Sequence, residues 1–277
     1  MISNTLIYRY NFLGPAEEVN KTFCIWRQRT ANGDYRPGLS SNNTCPPTFE
    51  PDTSPDAVVA TRHATKYRLV DDDNPSVIIS NTSFESTLHL FDAELSTAIK
   101  RGVVFFGSSS IVKWTTLAQD FPDYTTLNRG FGGSTLQEGV LEFKRIVYPL
   151  EPSALVIYSG ENDIGEGATP QQVHDRFRQI IPLIRRFYPN LPVAYISIKP
   201  TPARVAFLKQ VQETNALIQA DINENKFPGV TFINVYPYMI LPNGQPNPDI
   251  FGPDHEHMNS IGYAIWTKIV TAYLASI

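Results

Sequence analysis

Hydrophobic residues are arranged differently in the first third of the chain and in the rest. From residue 103 onwards, short runs of consecutive apolar residues alternate with longer segments in which apolar residues recur every three to four positions. A short apolar run indicates a strand buried on both faces, whereas the longer spacing indicates an amphipathic helix. The predicted strands are 103–106, 155–158, 193–198 and 230–234, and the predicted helices are 88–100 (which Gly102 would end), 135–147, 170–187, 203–225 and 259–275.

This alternation of strands and helices predicts an α/β domain, because a strand, a helix and the next strand naturally form a parallel sheet with helices on both faces. Residues 1 to about 85 instead are rich in Asn, Thr, Asp and Pro. Short β-leaning pieces at 5–10, 22–26 and 77–80 are separated there by turn-forming clusters. We therefore predict an irregular, partly β N-terminal extension or small accessory module over 1–86 and a main domain over 87–277.

Composition excludes several classes of partner. The 277 residues are 42% hydrophobic, which is ample for a filled core, and carry a net charge of −4. Without a basic footprint, nucleic acid is not an expected partner, and the longest apolar runs are too short to span a bilayer. The N-terminus lacks the basic start and apolar stretch of a secretion signal, which predicts either a cytoplasmic protein or a trimmed secreted form.

The two cysteines, Cys24 and Cys45, leave two alternatives open. They form one disulfide in an oxidising compartment, or they are two unrelated thiols. No further ligands stand at a zinc-like spacing, so no metal site is predicted. The sequence does not indicate an oligomeric state.

Four loops at the predicted carboxyl ends of strands, or directly before a helix, carry the candidate chemistry. Ligands bind at this edge of an open parallel sheet. The loops are Gly-Ser-Ser-Ser at 107–110, Asn-Arg-Gly-Phe-Gly-Gly-Ser at 128–134, Ser-Gly-Glu-Asn-Asp at 159–163, and Asp-His-Glu-His-Met-Asn at 254–259.

Together these loops hold the parts needed to transfer an acyl group to water. A serine hydroxyl is a weak nucleophile unless a base takes its proton, and His257 or His255 is available as that base. A carboxylate such as Asp254 would hold the imidazole in one tautomer. The oxyanion of the tetrahedral intermediate needs preorganised donors, for which backbone N–H groups of the glycine-rich loop and the amide of Asn162 are suitable.

Other interpretations of these loops account for less of the sequence. The serines at 108–110 also suit a helix N-cap, and Asp254 with His257 also suits a loop ion pair. The glycines at 130–133 lack the third glycine of a dinucleotide-binding loop, and no Gly-Lys-Ser/Thr of a Walker loop occurs. The Gly-x-Ser-x-Gly elbow of α/β-hydrolases is absent as well.

Taken in order, the four loops resemble the sequence blocks of the SGNH (GDSL-like) hydrolases, named for Ser, Gly, Asn and His. The resemblance covers about 87–277. Within the family, the chain is similar to a bacterial branch whose first block reads Gly-Ser-Ser-Ser-Ile. Further matches to that branch lie at 128–134, 160–164 and 197–204.

The resemblance implies specific roles for these residues. Ser109 would be the nucleophile, with Ser108 at the place of the family's usual aspartate. The backbone N–H groups of Ser109 and Gly133, with the side chain of Asn162, would form the oxyanion hole. The Asp-x-x-His block selects His257 as the base and Asp254 as its orienting acid. His255 is unusual at its position; it would line the substrate entrance or be an exposed loop residue.

The resemblance also implies a flavodoxin-like three-layer α/β/α sandwich with no metal or organic cofactor. We predict a serine esterase that hydrolyses a small-molecule ester with a short acyl group, such as an acetyl group on a carbohydrate, because no long apolar segment suggests a lipid-binding lid. Lysophospholipase or thioesterase activity is the enzymatic alternative. A carbohydrate-binding or assembly protein on an SGNH scaffold is the alternative of another class.

Overall fold

The computed structural model describes residues 84–277 throughout and, before them, the backbone of five short strands. These strands are β1 (Leu6–Asn11), β2 (Thr22–Arg29), β3 (Tyr35–Ser40), β4 (Val70–Asp71) and β5 (Asn74–Ile78). Strands β1, β2 and β3 form an antiparallel sheet in that order, and β4 pairs antiparallel with β5. The chain divides into two compact units, Met1–Glu85 and Ser86–Ile277. The choice between a Cys24–Cys45 disulfide and two unrelated thiols lies outside the described residues.

The second unit is built on a parallel five-stranded sheet. Its strands are β6 (Val103–Gly107), β7 (Thr126–Gly130), β8 (Ala154–Tyr158), β9 (Val193–Ile196) and β10 (Val230–Ile233). Their order across the sheet is β10-β9-β8-β6-β7, and every pairing between neighbours is parallel. The carboxyl ends of β6, β8 and β9 therefore lie side by side at one edge.

Helices follow most of these strands. They are α1 (Glu85–Glu94), α2 (Ser109–Val112), α3 (Leu117–Asp120), α4 (Leu136–Ile146), α5 (Glu161–Gly165), α6 (Pro170–Phe187), α7 (Leu208–Asn223) and α8 (Ser260–Leu274), with 3₁₀ turns at Tyr148–Leu150, Pro202–Phe207, Tyr236–Tyr238 and Pro248–Ile250. Thr135 and Thr169 each begin a helix with a capping box, in which the threonine and the residue three positions on exchange hydrogen bonds. Among the described helices, none is both long and apolar enough to cross a bilayer.

Both faces of the sheet are buried: alternate residues of a strand point to opposite sides, and every residue of β6, β8 and β9 is buried. On one face the ring of Tyr158 packs 4.7 Å from that of Trp266 on α8. On the other face Tyr195 packs 5.2 Å from Phe177 on α6. The structure thus confirms the predicted three-layer α/β/α architecture with a parallel central sheet.

The prediction of a helix over 88–100 is wrong at its carboxyl end. The helix observed there, α1, begins at Glu85 and ends at Glu94. The carbonyl oxygen of Glu94 accepts hydrogen bonds from the N–H groups of Thr97 at 3.0 Å and Ala98 at 2.7 Å. The hydroxyl of Thr97 donates to the same oxygen at 3.2 Å. A short polar side chain that satisfies the last carbonyl competes with continuation of the helix, so Gly102 is not its stop.

The segment predicted as a loop before α4 begins as the edge strand β7. Two of its polar side chains bind partners that are distant in the sequence. The amide of Asn128 donates to the carbonyl oxygen of Ile111 at 2.6 Å, and the buried guanidinium of Arg129 pairs with Glu94 at 2.9 Å. These contacts let a strand without an apolar run lie at the sheet edge.

Two further boundaries differ from the prediction. The strand predicted at 193–198 ends at Ile196, because the side chain of Asn215 then binds both the N–H and the carbonyl of Ile198 at 2.8 Å. The helix predicted at 203–225 is a 3₁₀ turn followed by α7. Arg204 has non-helical dihedral angles within that turn, with φ −121° and ψ 31°.

Candidate active site

The three serines after β6 differ in exposure. Gly107 ends the strand with φ +151°, and a Cβ on it would lie 1.8 Å from the carbonyl oxygen of Tyr158, so only glycine fits this turn. Ser108 and Ser110 are buried, whereas Ser109 is only partly buried. Ser109 is also the first residue of α2. Of the three hydroxyls, that of Ser109 is therefore the one with access to solvent.

The hydroxyl of Ser109 lies 2.8 Å from Nε2 of His257. Nδ1 of the same imidazole lies 2.7 Å from Oδ2 of Asp254. Because a carboxylate only accepts hydrogen bonds, Nδ1 carries the proton and Nε2 is free to accept from the serine. The structure thus brings three of the sequence-predicted residues into one hydrogen-bonded chain, Ser109–His257–Asp254.

The carboxylate of Asp254 is held by its own loop. Oδ1 accepts hydrogen bonds from the N–H groups of Glu256 at 3.1 Å and His257 at 2.9 Å. These backbone donors and the imidazole N–H, those of His257 first, hold the pKa of Asp254 well below its usual range. The ammonium of Lys113 lies 3.4 Å from Oδ2, on the side open to solvent. Asp254 therefore stays ionised at neutral pH.

Asn259 fixes the loop to the helix that follows. Its side-chain oxygen accepts hydrogen bonds from the N–H groups of Ile261 and Gly262 and so caps α8. Its amide nitrogen donates to the carbonyl oxygens of Asp249 at 2.8 Å and Phe251 at 3.1 Å. One side chain therefore joins both sides of the loop that bears the imidazole.

The other two residues predicted for the oxyanion hole, Gly133 and Asn162, lie in the two neighbouring loops. Gly133 has φ +83° and precedes α4, and a Cβ on the adjacent Gly132 would lie 4.0 Å from that of Ser109. The glycine-rich loop therefore runs directly beside Ser109. Asn162 lies on α5 after β8, and its amide nitrogen donates to the carbonyl oxygen of Ser134 at 3.0 Å.

Several charged residues next to the site received no role from the sequence. The buried ammonium of Lys199 pairs with Glu161, which also accepts a hydrogen bond from Tyr158. Arg204 donates to Asn162, and the buried Asp163 accepts from the start of α4. Lys199 and Arg204 fall within the motif at 197–204, and this is the one sequence signal that marked them.

A shallow groove of about 320 Å³ adjoins Asp254 and is lined by Pro202, Ala203, Pro248 and His255. His255 is exposed and adopts φ +54°, and its carbonyl oxygen accepts the N–H of Ala203 at 3.0 Å. His255 is thus an exposed loop residue, and it also lines this groove. Among the described residues, no cluster of three or more His, Cys, Asp or Glu side chains is arranged to hold a metal ion.

Residues 97–265 match the sequence model of the GDSL-like lipase/acylhydrolase family. No curated protein sequence matches the chain. Among solved structures, a GDSL-like lipase from Bacteroides thetaiotaomicron is similar with a TM-score of 0.60 and 23% identity, over 69% of this chain and 98% of that chain. A lipase/acylhydrolase from Enterococcus faecalis is similar with a TM-score of 0.53 and 17% identity, over 63% and 95%. An acetyl xylan esterase is similar with a TM-score of 0.50 and 18% identity, over 62% and 98%.

Proposed function

The chain belongs to the GDSL-like lipase/acylhydrolase family and is a hydrolase, and from this premise we propose that it is a serine esterase acting through an acyl-enzyme on Ser109. The observation that carries the proposal is the hydrogen-bonded chain Ser109–His257–Asp254. The stability of the fold does not require an accessible serine to contact an imidazole that is itself held by a carboxylate.

The proposed reaction has two halves. Oγ of Ser109 attacks the ester carbonyl carbon while its proton moves to Nε2 of His257. The tetrahedral intermediate then collapses, and the leaving alkoxide takes that proton as the C–O bond breaks. In the second half, water attacks the acyl-enzyme, gives a proton to Nε2, and the acid leaves as Ser109 regains its hydrogen.

The negative oxygen of each tetrahedral intermediate needs donors that are already in place. We assign this role to the backbone N–H groups of Ser109 and Gly133 and to the side-chain amide of Asn162. One such donor is worth about 3 kcal/mol of transition-state stabilisation. Asp254 stays charged and stabilises the imidazolium that forms in each half-reaction.

For the substrate we propose an ester with a short acyl group, with an acetyl group on a carbohydrate as the leading candidate. The groove beside Asp254 is shallow and has a volume of only about 320 Å³, which favours a short acyl group over a long chain. The similarity to an acetyl xylan esterase agrees with this choice. A lysophospholipase or thioesterase would use the same chemistry on a longer acyl chain.

Hydrolysis of p-nitrophenyl esters tests the mechanism. Ser109→Ala is expected to lower kcat by at least about 10³-fold, whereas Ser110→Ala, which alters the buried neighbouring serine, keeps kcat within about threefold. Full activity of Ser109→Ala would reject the nucleophile. Absence of hydrolysis in every form, wild type included, would favour a carbohydrate-binding or assembly protein on the same scaffold.

A series of acyl lengths tests the substrate. We expect kcat/KM to fall from the acetyl to the butyryl and octanoyl p-nitrophenyl esters. A rise along this series would reject the short-acyl proposal and favour the lysophospholipase or thioesterase alternative, while leaving the role of Ser109 in place.

A further inference from the structure

Arg204 connects the segment after β9 to the residues around the proposed oxyanion hole. Its Nη1 donates to the backbone carbonyl oxygen of Glu161 at 2.8 Å, and its Nη2 donates to Oδ1 of Asn162 at 3.0 Å. Nη2 also lies 2.7 Å from Oε1 of Glu256, the residue before His257. One guanidinium therefore contacts both the loop of the oxyanion donor and the loop of the base.

The contact with Asn162 determines which way its amide points. A guanidinium has only donors, so the amide oxygen must face Arg204. The amide nitrogen must then face the opposite way, where it donates one hydrogen to the carbonyl oxygen of Ser134 at 3.0 Å. Its second hydrogen is the one that the function proposed above assigns to the oxyanion. With the amide reversed, an oxygen lone pair would face the developing oxyanion and repel it.

The position of Arg204 is itself built into the fold. Gly165, which lies on α5, leaves room for the guanidinium, since a Cβ on this glycine would lie 2.9 Å from Nη1 of Arg204. The backbone next to it is tied to the base loop, because the N–H of Ala203 donates to the carbonyl oxygen of His255 at 3.0 Å. Only 22% of the Arg204 side chain is exposed. The guanidinium is thus preorganised rather than a solvated surface charge.

We propose that Arg204 is a positioning residue that locks the side-chain amide of Asn162 with its N–H directed at the oxyanion. The proposal rests on the function proposed above, because it concerns the transition state of that reaction. It predicts that Arg204 acts through Asn162 and that its loss therefore affects kcat more than KM.

A double-mutant cycle on p-nitrophenyl acetate tests this coupling. Arg204→Met is expected to lower kcat about 30-fold with KM within about twofold, and Asn162→Ala to lower it about 100-fold or more. In the Asn162→Ala background, adding Arg204→Met should lower kcat by less than about threefold, because its partner is already gone. Arg186→Met, on the exposed face of α6, is the matched control and should leave kcat unchanged.

Two outcomes would overturn the proposal: an unchanged kcat in Arg204→Met, or an equal loss of kcat in both backgrounds. Should Arg204→Met fail to fold in far-UV circular dichroism, Arg204→Lys replaces it in the same cycle. A lysine keeps the charge but not the planar pair of donors, so an intermediate loss of kcat that again vanishes with Asn162→Ala is expected. If Asn162→Ala itself keeps full kcat, the oxyanion assignment fails instead, and the two failures are thereby distinguished.

Discussion

The carboxylate of Asp163 accepts the backbone N–H of Leu136 at 2.8 Å and so ties α5 to the first residue of α4. Its other oxygen accepts from the guanidinium of Arg176 on α6. Asp163 is fully buried, and burial raises its pKa against the opposing effect of Arg176. The glycine-rich loop that ends at α4 therefore depends on one buried acid.

We expect Asp163→Asn to destabilise the fold by about 3 kcal/mol, because it leaves the Arg176 charge buried without its partner. The measurement is the free energy of unfolding in urea, together with kcat on p-nitrophenyl acetate. Asp175→Asn, at an exposed position of the same helix α6, should change stability by less than about 0.5 kcal/mol. Equal effects of the two substitutions would contradict the role assigned to Asp163.

A second buried acid, Asp221, makes stability depend on pH. It accepts hydrogen bonds from Arg178 at 2.6 Å and Lys226 at 2.7 Å and lies 2.7 Å from Nε2 of His174. These partners, Arg178 first, hold the pKa of Asp221 far below its ordinary value near 3.9. The folded chain thus keeps this carboxylate charged at a pH where the unfolded chain protonates it.

The advantage of wild type over Asp221→Asn should therefore be about 2 kcal/mol at neutral pH. It should shrink as the pH falls below about 4, because protonation then favours the unfolded chain. Urea unfolding of both proteins between pH 7 and pH 3 measures this difference. A gap that stays the same down to pH 3 would show that the carboxylate charge is not what stabilises this cluster.

The turn after β6 should tolerate only glycine. Gly107→Ala places a methyl group against the backbone oxygen of Tyr158, which has no freedom to move away within the sheet. Gly167 has φ +92°, but a Cβ added to it would meet nothing within 4 Å, so Gly167→Ala isolates the conformational strain. We expect about 1 kcal/mol for Gly167→Ala and clearly more, above about 3 kcal/mol, for Gly107→Ala. Similar unfolding midpoints for the two would refute the steric argument.

Asp254→Asn should change the tautomer of the His257 imidazole while keeping the hydrogen bonds that hold the backbone of the loop. An asparagine keeps an oxygen for the backbone N–H groups of Glu256 and His257 but turns an NH₂ group toward Nδ1. The imidazole would then adopt the other tautomer, with a hydrogen on Nε2, the nitrogen that accepts the serine proton in the proposed reaction. We expect kcat to fall by about 10² to 10⁴-fold at nearly constant KM. Asp249→Asn, exposed in the same region, is the control, and a comparable loss in it would point to a general disturbance of the loop.

The parts of the fold that rest on local patterns were predictable. The run Val103 to Phe106 has no polar residue, and a strand buried on both faces is the simplest structure for it. Strand β7 was missed because Asn128 and Arg129 are polar, and their partners Ile111 and Glu94 lie 17 and 35 positions away. No local pattern encodes hydrogen bonds of that separation.

In the candidate site, too, local motifs predicted some features and only the packed structure shows the others. Ser109, Asn162 and His257 lie in short sequence motifs, so they could be named as candidates before any distance between them was known. The contact between Arg204 and Asn162 joins positions 42 apart. It depends on how the segment after β9 lies beside the start of α5. Only the packed structure shows which guanidinium meets which amide.

The 148 positions between Ser109 and His257 have a consequence for folding kinetics. Closing so long a loop costs chain entropy before the contact forms, and contacts of high sequence separation form slowly. The hydroxyl of Tyr263 on α8 reaches the carbonyl oxygen of Ser110 at 2.8 Å, so docking of this helix completes the site. Recovery of ester hydrolysis after dilution from denaturant thus reports the arrival of α8, an event that circular dichroism alone would not separate from the formation of the other helices.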